Sequence, residues 1–167
     1  MRKEIRICGF GGQGVILAGV ILGEAAVKAG YWAVQTQSYG PESRGGATRS
    51  EVLISDEAID YPRVTQADFL VALSQPAFDK YGGNVTEKSQ VVVDSLVVAE
   101  GAKALPFAKT AEAVGHQIVT NIVMLGYLSA LLDIIPPETI EETVLANIPK
   151  GTEELNLKAL RAGRELL

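Results

Sequence analysis

An apolar run, Ile5 to Cys8, opens directly into Gly9-Phe10-Gly11-Gly12-Gln13-Gly14, and the segment that follows, Val15 to Ala29, is apolar on nearly every face. The order reads as strand, glycine loop and buried helix, the beginning of an α/β fold. Gly30 stands where a C-cap belongs, and residues 31–37 are rich in β-formers, so a second strand runs parallel to the first and completes a βαβ unit. Between Gln37 and Ala47 lie Pro41 and the glycines at 40, 45 and 46, after which Thr48 to Ser55 alternates like a strand. A link this short holds no crossover helix, so the third strand turns back antiparallel to the second and the sheet is mixed.

Downstream, Ala67 to Leu73 and Gln90 to Asp94 read as central strands buried on both faces, separated by Gln75 to Thr86, whose first half is helical and whose second half is broken by Gly82-Gly83. Leu105 to Ala108 is expected as a short last strand and Thr110 to Val114 as a short helix. Ile118 to Leu132 forms a second buried helix, stopped by Pro136-Pro137. Another runs from Glu138 to Asn147 with Pro137 at its first position, and Thr152-Glu153-Glu154 caps a final helix that ends at Arg164. With 167 residues and no repeat or linker, the expectation is one domain over 1–167: α/β, three-layer α/β/α, Rossmann-like, with a mostly parallel mixed sheet.

Composition removes several function classes. At 47% hydrophobic the chain is too apolar for disorder, and 15 Lys+Arg against 20 Asp+Glu leaves no cationic footprint for nucleic acid. One cysteine and one histidine, Cys8 and His116, fall short of the four ligands of a zinc or iron–sulfur centre. The N-terminus lacks a signal-peptide pattern, and a lone thiol fits a reducing compartment, so a cytoplasmic location is expected. The most apolar stretch, residues 118–135, is interrupted by Thr120, Asn121, Ser129 and Asp133, and does not reach the ~20 clean residues of a membrane span.

Gly9-x-Gly11-x-x-Gly14 matches the dinucleotide fingerprint, in which glycines let backbone approach a pyrophosphate and the helix N-terminus faces the anion. The acidic residue that should follow about 20 positions on is absent: residues 34–37 read Val-Gln-Thr-Gln. Three readings stand side by side: NAD or FAD binding, close strand-to-helix packing without a ligand, and binding of another phosphate-bearing molecule. A second loop, Ser38-Tyr39-Gly40-Pro41-Glu42-Ser43-Arg44-Gly45-Gly46, follows the second strand and should meet the first at the carboxyl edge of the sheet, with Arg44 near the helix N-terminus as an anion contact or as an ordinary surface residue. Arg49 reads as a surface or salt-bridging side chain, His116 as a cap, and Cys8 as an inert core thiol. Asn121, inside an apolar helix, either holds the glycine loop or reaches a ligand; Asp94-Ser95 either lines the site or caps a turn. No catalytic triad, carboxylate pair, metal cluster or Walker lysine is recognisable, so the chain is not expected to complete a reaction by itself.

Three ordered motifs, residues 9–15 (Gly-Phe-Gly-Gly-Gln-Gly-Val), 38–46 (Ser-Tyr-Gly-Pro-Glu-Ser-Arg-Gly-Gly) and 121–126 (Asn-Ile-Val-Met-Leu-Gly), together resemble the gamma subunit of 2-oxoacid:ferredoxin (acceptor) oxidoreductases, a domain similar to domain III of pyruvate:ferredoxin oxidoreductase. The resemblance spans almost the whole chain. It implies a hetero-oligomer with alpha, beta and a ferredoxin-like delta subunit, which oxidatively decarboxylates a 2-oxoacid with coenzyme A to acyl-CoA, carbon dioxide and reduced ferredoxin. Thiamine diphosphate, Mg²⁺ and iron–sulfur clusters would belong to the other subunits. It further implies a role in coenzyme A binding or active-site closure, with Gly9, Gly11, Gly12, Gln13, Gly14, Arg44, Gly45 and Gly46 as the contacts. The small size is most like the 2-oxoglutarate branch, although pyruvate, branched-chain and indolepyruvate enzymes share the motifs. Where the family tends to show Gly-Asn, this chain has Gly115-His116. A free-standing nucleotide-binding module is the reading from another class.

Overall fold

The computed structural model describes residues 1–39 and 46–167. Its centre is β1 (Arg2–Phe10), in which Ile5 and Ile7 point to one side, Arg6 and Cys8 to the other, and none of the four is more than 2% exposed. A strand with no wet face needs neighbours on both edges and cover on both faces. β3 (Ala47–Ser55) pairs with it antiparallel, setting Glu51 opposite Arg6 and Ser50 opposite Ile7. β4 (Ala67–Ala72) pairs parallel on the other edge. β2 (Trp32–Tyr39) lies outside β3, and β5 (Val85–Asp94) and β6 (Lys103–Leu105) extend the parallel half, giving the order β2-β3-β1-β4-β5-β6. The sheet is mixed and mostly parallel, as expected, and β3 is the one strand among those described that opposes the rest. β2 does run parallel to β1, but the returning β3 fills the gap between them.

The helices distribute unevenly. α1 (Val15–Lys28), α3 (Phe107–Val114), α4 (Thr120–Leu132), α5 (Pro137–Ala146) and α6 (Glu153–Arg164) all contribute to the larger core with Ile5, Ile7, Val52 and Val71. The opposite face carries α2 (Gln75–Tyr81), which buries Ala77 and Tyr81 against Cys8, Leu70 and Val93. Ser74 caps α2, its hydroxyl oxygen accepting from Ala77 N–H at 3.3 Å. Three layers result, one thick and one thin.

Several boundaries differ from the sequence reading for local reasons. β5 begins at Val85, and burial is continuous only from Val92 to Asp94, so its first half is not a strand buried on both faces. β6 ends at Leu105 because Pro106 offers no N–H, and α3 starts at Phe107 rather than Thr110, with Asp94 Oδ1 accepting from Ala108 N–H at 3.0 Å. A 3₁₀ turn, Gln117–Val119, precedes α4. Thr152 does not cap α6 through its side chain; its hydroxyl donates to Pro149 O at 2.6 Å.

α4 is buried around almost its whole circumference, as a largely apolar helix must be, and α6 reaches it backbone to backbone. A Cβ at Gly126 would run into Leu160 O, and one at Gly163 into Val123 O. Alanine at either position should lower the unfolding free energy in urea titrations by about 1–3 kcal/mol through overpacking. Gly12→Ala, where a Cβ meets nothing within 4 Å, serves as the contrast and should stay within about 0.5 kcal/mol of the parent.

Candidate functional site

The chain leaves β1 over the α1 face towards β2, and leaves β4 over the α2 face towards β5. Adjacent strands whose exits diverge open a crevice at their carboxyl ends, the usual ligand position in such sheets. The glycine loop occupies it. Gln13 folds back beneath the loop: its Oε1 accepts from Phe10 N–H at 2.7 Å and its Nε2 donates to Leu73 O at 3.2 Å, so one side chain ties the end of β1 to the end of β4. Gly9 leaves room for this amide, since a Cβ there would stand 2.7 Å from Gln13 Oε1.

Gly14 is the N-cap of α1 and adopts the left-handed region with φ 71°, a conformation that glycine tolerates and most residues do not. Its carbonyl accepts from Ala18 N–H at 3.0 Å and from Asn121 Nδ2 at 3.2 Å, and a Cβ at this position would collide with the Asn121 amide. Asn121 therefore holds the loop in place, and it also lines a cavity beside Gly12. Asp94 is likewise structural: buried, it accepts from Ala108 N–H and Leu96 N–H, both at 3.0 Å. His116 Nδ1 accepts from Ile118 N–H at 2.9 Å and caps the 3₁₀ turn.

Of the expected contacts, Gly9, Gly11, Gly12, Gln13 and Gly14 form one compact loop, and Gly46 joins it, its carbonyl accepting from Gly11 N–H at 3.2 Å. The two loops thus meet as the topology requires. Arg44 and Gly45 lie outside the described residues. Gly12 faces open space and lines two shallow cavities of about 270 and 260 Å³, one continuing along Asn121, Pro149 and Leu155, the other along Ala108, His116 and Ile118. Around the same edge Phe10, Leu96, Val98 and Ile118 are exposed, the last three by 71%, 81% and 72%. The 96–98 segment is pinned there by Gln75, whose side chain donates to Val98 O and accepts from Val98 N–H. Backbone amides and apolar surface are what this edge offers; an acid, base or nucleophile is not assembled there among the described residues.

The sequence reading overlooked a cluster on the α2 face. Arg6, 2% exposed, donates from Nε to Glu51 Oε2 at 2.8 Å and from Nη1 to Gly83 O at 2.8 Å, just past the C-terminus of α2. Arg49 stands two residues before Glu51 on the same face. The signal was present, in an arginine inside an apolar run and an Arg-x-Glu pair in an alternating strand, but it shows only when the second face of β1 and β3 is considered.

Over residues 4–166 the sequence matches the family model described as pyruvate ferredoxin/flavodoxin oxidoreductase. The chain belongs to that family, and its length corresponds to the gamma-type subunit. It is 52% identical over 176 residues to the 2-oxoglutarate synthase subunit KorC of Methanocaldococcus jannaschii, covering 99% of this chain and 94% of that one. The crystal structure of the keto/oxoacid ferredoxin oxidoreductase gamma subunit from Geobacter sulfurreducens superposes with a TM-score of 0.88 at 46% identity, covering 99% and 96% of the two chains. A chain of the 2-oxoglutarate:ferredoxin oxidoreductase from Magnetococcus marinus shares the fold at TM-score 0.85 and 24% identity, 99% of this chain matching 31% of that one.

Cys8 is fully buried beside the loop, and burial pushes its thiol up to about 12, outweighing the opposing pull of the Arg6 charge. A raised pKa removes thiolate at neutral pH, so Cys8 should resist a disulfide-exchange reagent at pH 8 in the folded chain and react fully once the chain is unfolded in urea. Rapid labelling of the folded chain would refute the inert assignment.

Proposed function

We propose that this chain is the gamma subunit of a complex that oxidises 2-oxoglutarate with coenzyme A, delivering succinyl-CoA, carbon dioxide and reduced ferredoxin. The observation that carries the reading is a braced glycine loop at the switch point of the sheet without, among the described residues, a self-sufficient set of reacting groups beside it. A subunit that binds and positions, rather than one that reacts alone, needs just that. The relatives at 48% and 49% identity are also 2-oxoglutarate synthase subunits, whereas the ketoisovalerate and indolepyruvate relatives fall to 35% and 25%, which favours 2-oxoglutarate over the other acids. The Magnetococcus marinus enzyme holds 2-oxoglutarate, coenzyme A and succinyl-CoA.

In this reading the loop from Gly9 to Gly14, with Gly46 and the neighbouring Arg44 and Gly45, contacts coenzyme A or closes over the active site. Loop amides and the α1 N-terminus suit a phosphate-bearing molecule, because unpaired first-turn N–H groups and the helix dipole both favour negative charge. Thiamine diphosphate with Mg²⁺, and the iron–sulfur clusters that pass electrons to ferredoxin, are supplied by alpha, beta and delta partners. The exposed Phe10, Leu96, Val98 and Ile118 become part of the seam with those partners, in the cytoplasm.

The test is an omission and substitution experiment on the co-expressed complex. Without this chain, 2-oxoglutarate- and coenzyme A-dependent reduction of ferredoxin should disappear. Arg44→Ala should raise the KM for coenzyme A about tenfold while leaving that for 2-oxoglutarate unchanged. Recovery of the chain only as a free monomer, or full turnover in its absence, would overturn the reading.

A further inference from the structure

On the α2 face, where no helix covers β2 and β3 beyond α2 among the described elements, the sheet floors a cleft of about 590 Å³. Arg6, Arg49 and Glu51 form its base, Thr36 and Ser38 its edge, and Arg63 one wall. The charges do not balance. Glu51 Oε2 is committed to Arg6 at 2.8 Å, and Arg6 is further satisfied by the carbonyls of Gly83 at 2.8 Å and Tyr81 at 3.3 Å. Arg49 Nε sits 3.8 Å from Glu51 Oε1, a loose ion pair too long for a hydrogen bond; that one atom is buried with no hydrogen-bond partner, while the side chain as a whole is 34% exposed. The Tyr81 ring, 5.2 Å from the Arg49 guanidinium, holds that group in place without neutralising it. Arg63, an exposed residue, lines the same cleft.

Three arginines and one carboxylate line this cleft in a chain whose net charge is −5, and of the three Arg6 and Arg49 stand within ion-pair range of that carboxylate. Folding gains little from gathering like charges, and a buried donor left unpaired costs free energy, a cost that an anion bound in the cleft would relieve. We infer that this cleft binds the phosphate groups of a small molecule, with Arg49 and Arg63 as the anion contacts and the Arg6–Glu51 pair as the rigid floor that orients Arg49. Guanidinium forks match phosphate oxygens two at a time, and the volume accommodates a nucleotide-sized ligand. The site stands apart from the glycine loop, on the other face of β1, and does not depend on the coenzyme A assignment made for that loop.

Inorganic pyrophosphate is the probe, titrated into the ¹⁵N-labelled full-length chain at low salt while the arginine Nε–H and backbone amide signals are followed. The Arg49 Nε–H signal should shift and saturate, and Arg63→Gln, a change at an exposed position that leaves the floor intact, should weaken binding about tenfold; Arg49→Gln should do the same. ADP binding more tightly than pyrophosphate at the same signals identifies a nucleotide as the natural source, and equal binding identifies the free phosphoanion. Saturation seen only at the amides of Gly11, Gly12 and Gly14 would place the phosphate at the loop and overturn the cleft assignment, as would succinate binding as tightly as pyrophosphate, or affinity unchanged in Arg63→Gln.

Discussion

β1 is dry on both sides, and most of the architecture answers to that one constraint. Its Ile5 and Ile7 face demands a thick apolar cover, which α1, α4 and the helices packed on them supply. Its other face contains a buried arginine among small apolar residues, and an arginine cannot be left uncompensated there. Glu51 must therefore stand directly across on β3, and the carbonyls of Tyr81 and Gly83, at and just past the end of α2, must turn towards Arg6. The register of β3, the placement of α2 and the polarity of the thin layer all descend from the alternation in residues 5–8.

The same strand delivers the glycine loop to the one point on the sheet where neighbouring connections part. Gln13 then joins β1 to β4, and Asn121 joins the start of α1 to α4, so the loop is held from below and from behind. A loop held in this way is already organised before a ligand arrives, which limits the ordering cost of binding. What it presents outward is backbone amide and apolar side chain. That combination is suited to recognition and docking, and it agrees with membership of a family whose relatives are subunits of larger oxidoreductases.

Much of the fold was legible because its strongest signals are local. The apolar run before Gly9, the β-formers after Gly30 and the largely apolar helix that stops before Pro136 each specify one element. The short 38–46 link specifies the antiparallel turn. Less visible were properties that arise only between elements. The insertion of β3 between β1 and β2 is a pairing choice that no single segment carries, and the exposure of the first half of β5 follows from the short strand beside it. In the site, the glycines could be read from spacing, whereas the bracing role of Asn121 required knowing that α4 passes beside Gly14, 107 residues earlier in the chain. The Arg6–Glu51–Arg49 group escaped notice because each member taken alone resembles an ordinary surface charge on a strand.

In the proposed complex the carboxyl edge of the sheet is the working face and operates against partner subunits. Hydrogen–deuterium exchange of this chain, alone and within the reconstituted complex, tests it most directly. Assembly should slow exchange in segments 9–14, 95–98 and 116–118, which surround the glycine loop and carry its exposed apolar residues. Unchanged exchange at all three, with protection confined to the far end of the sheet, would mean that the partners dock elsewhere and that the carboxyl edge is not the working face.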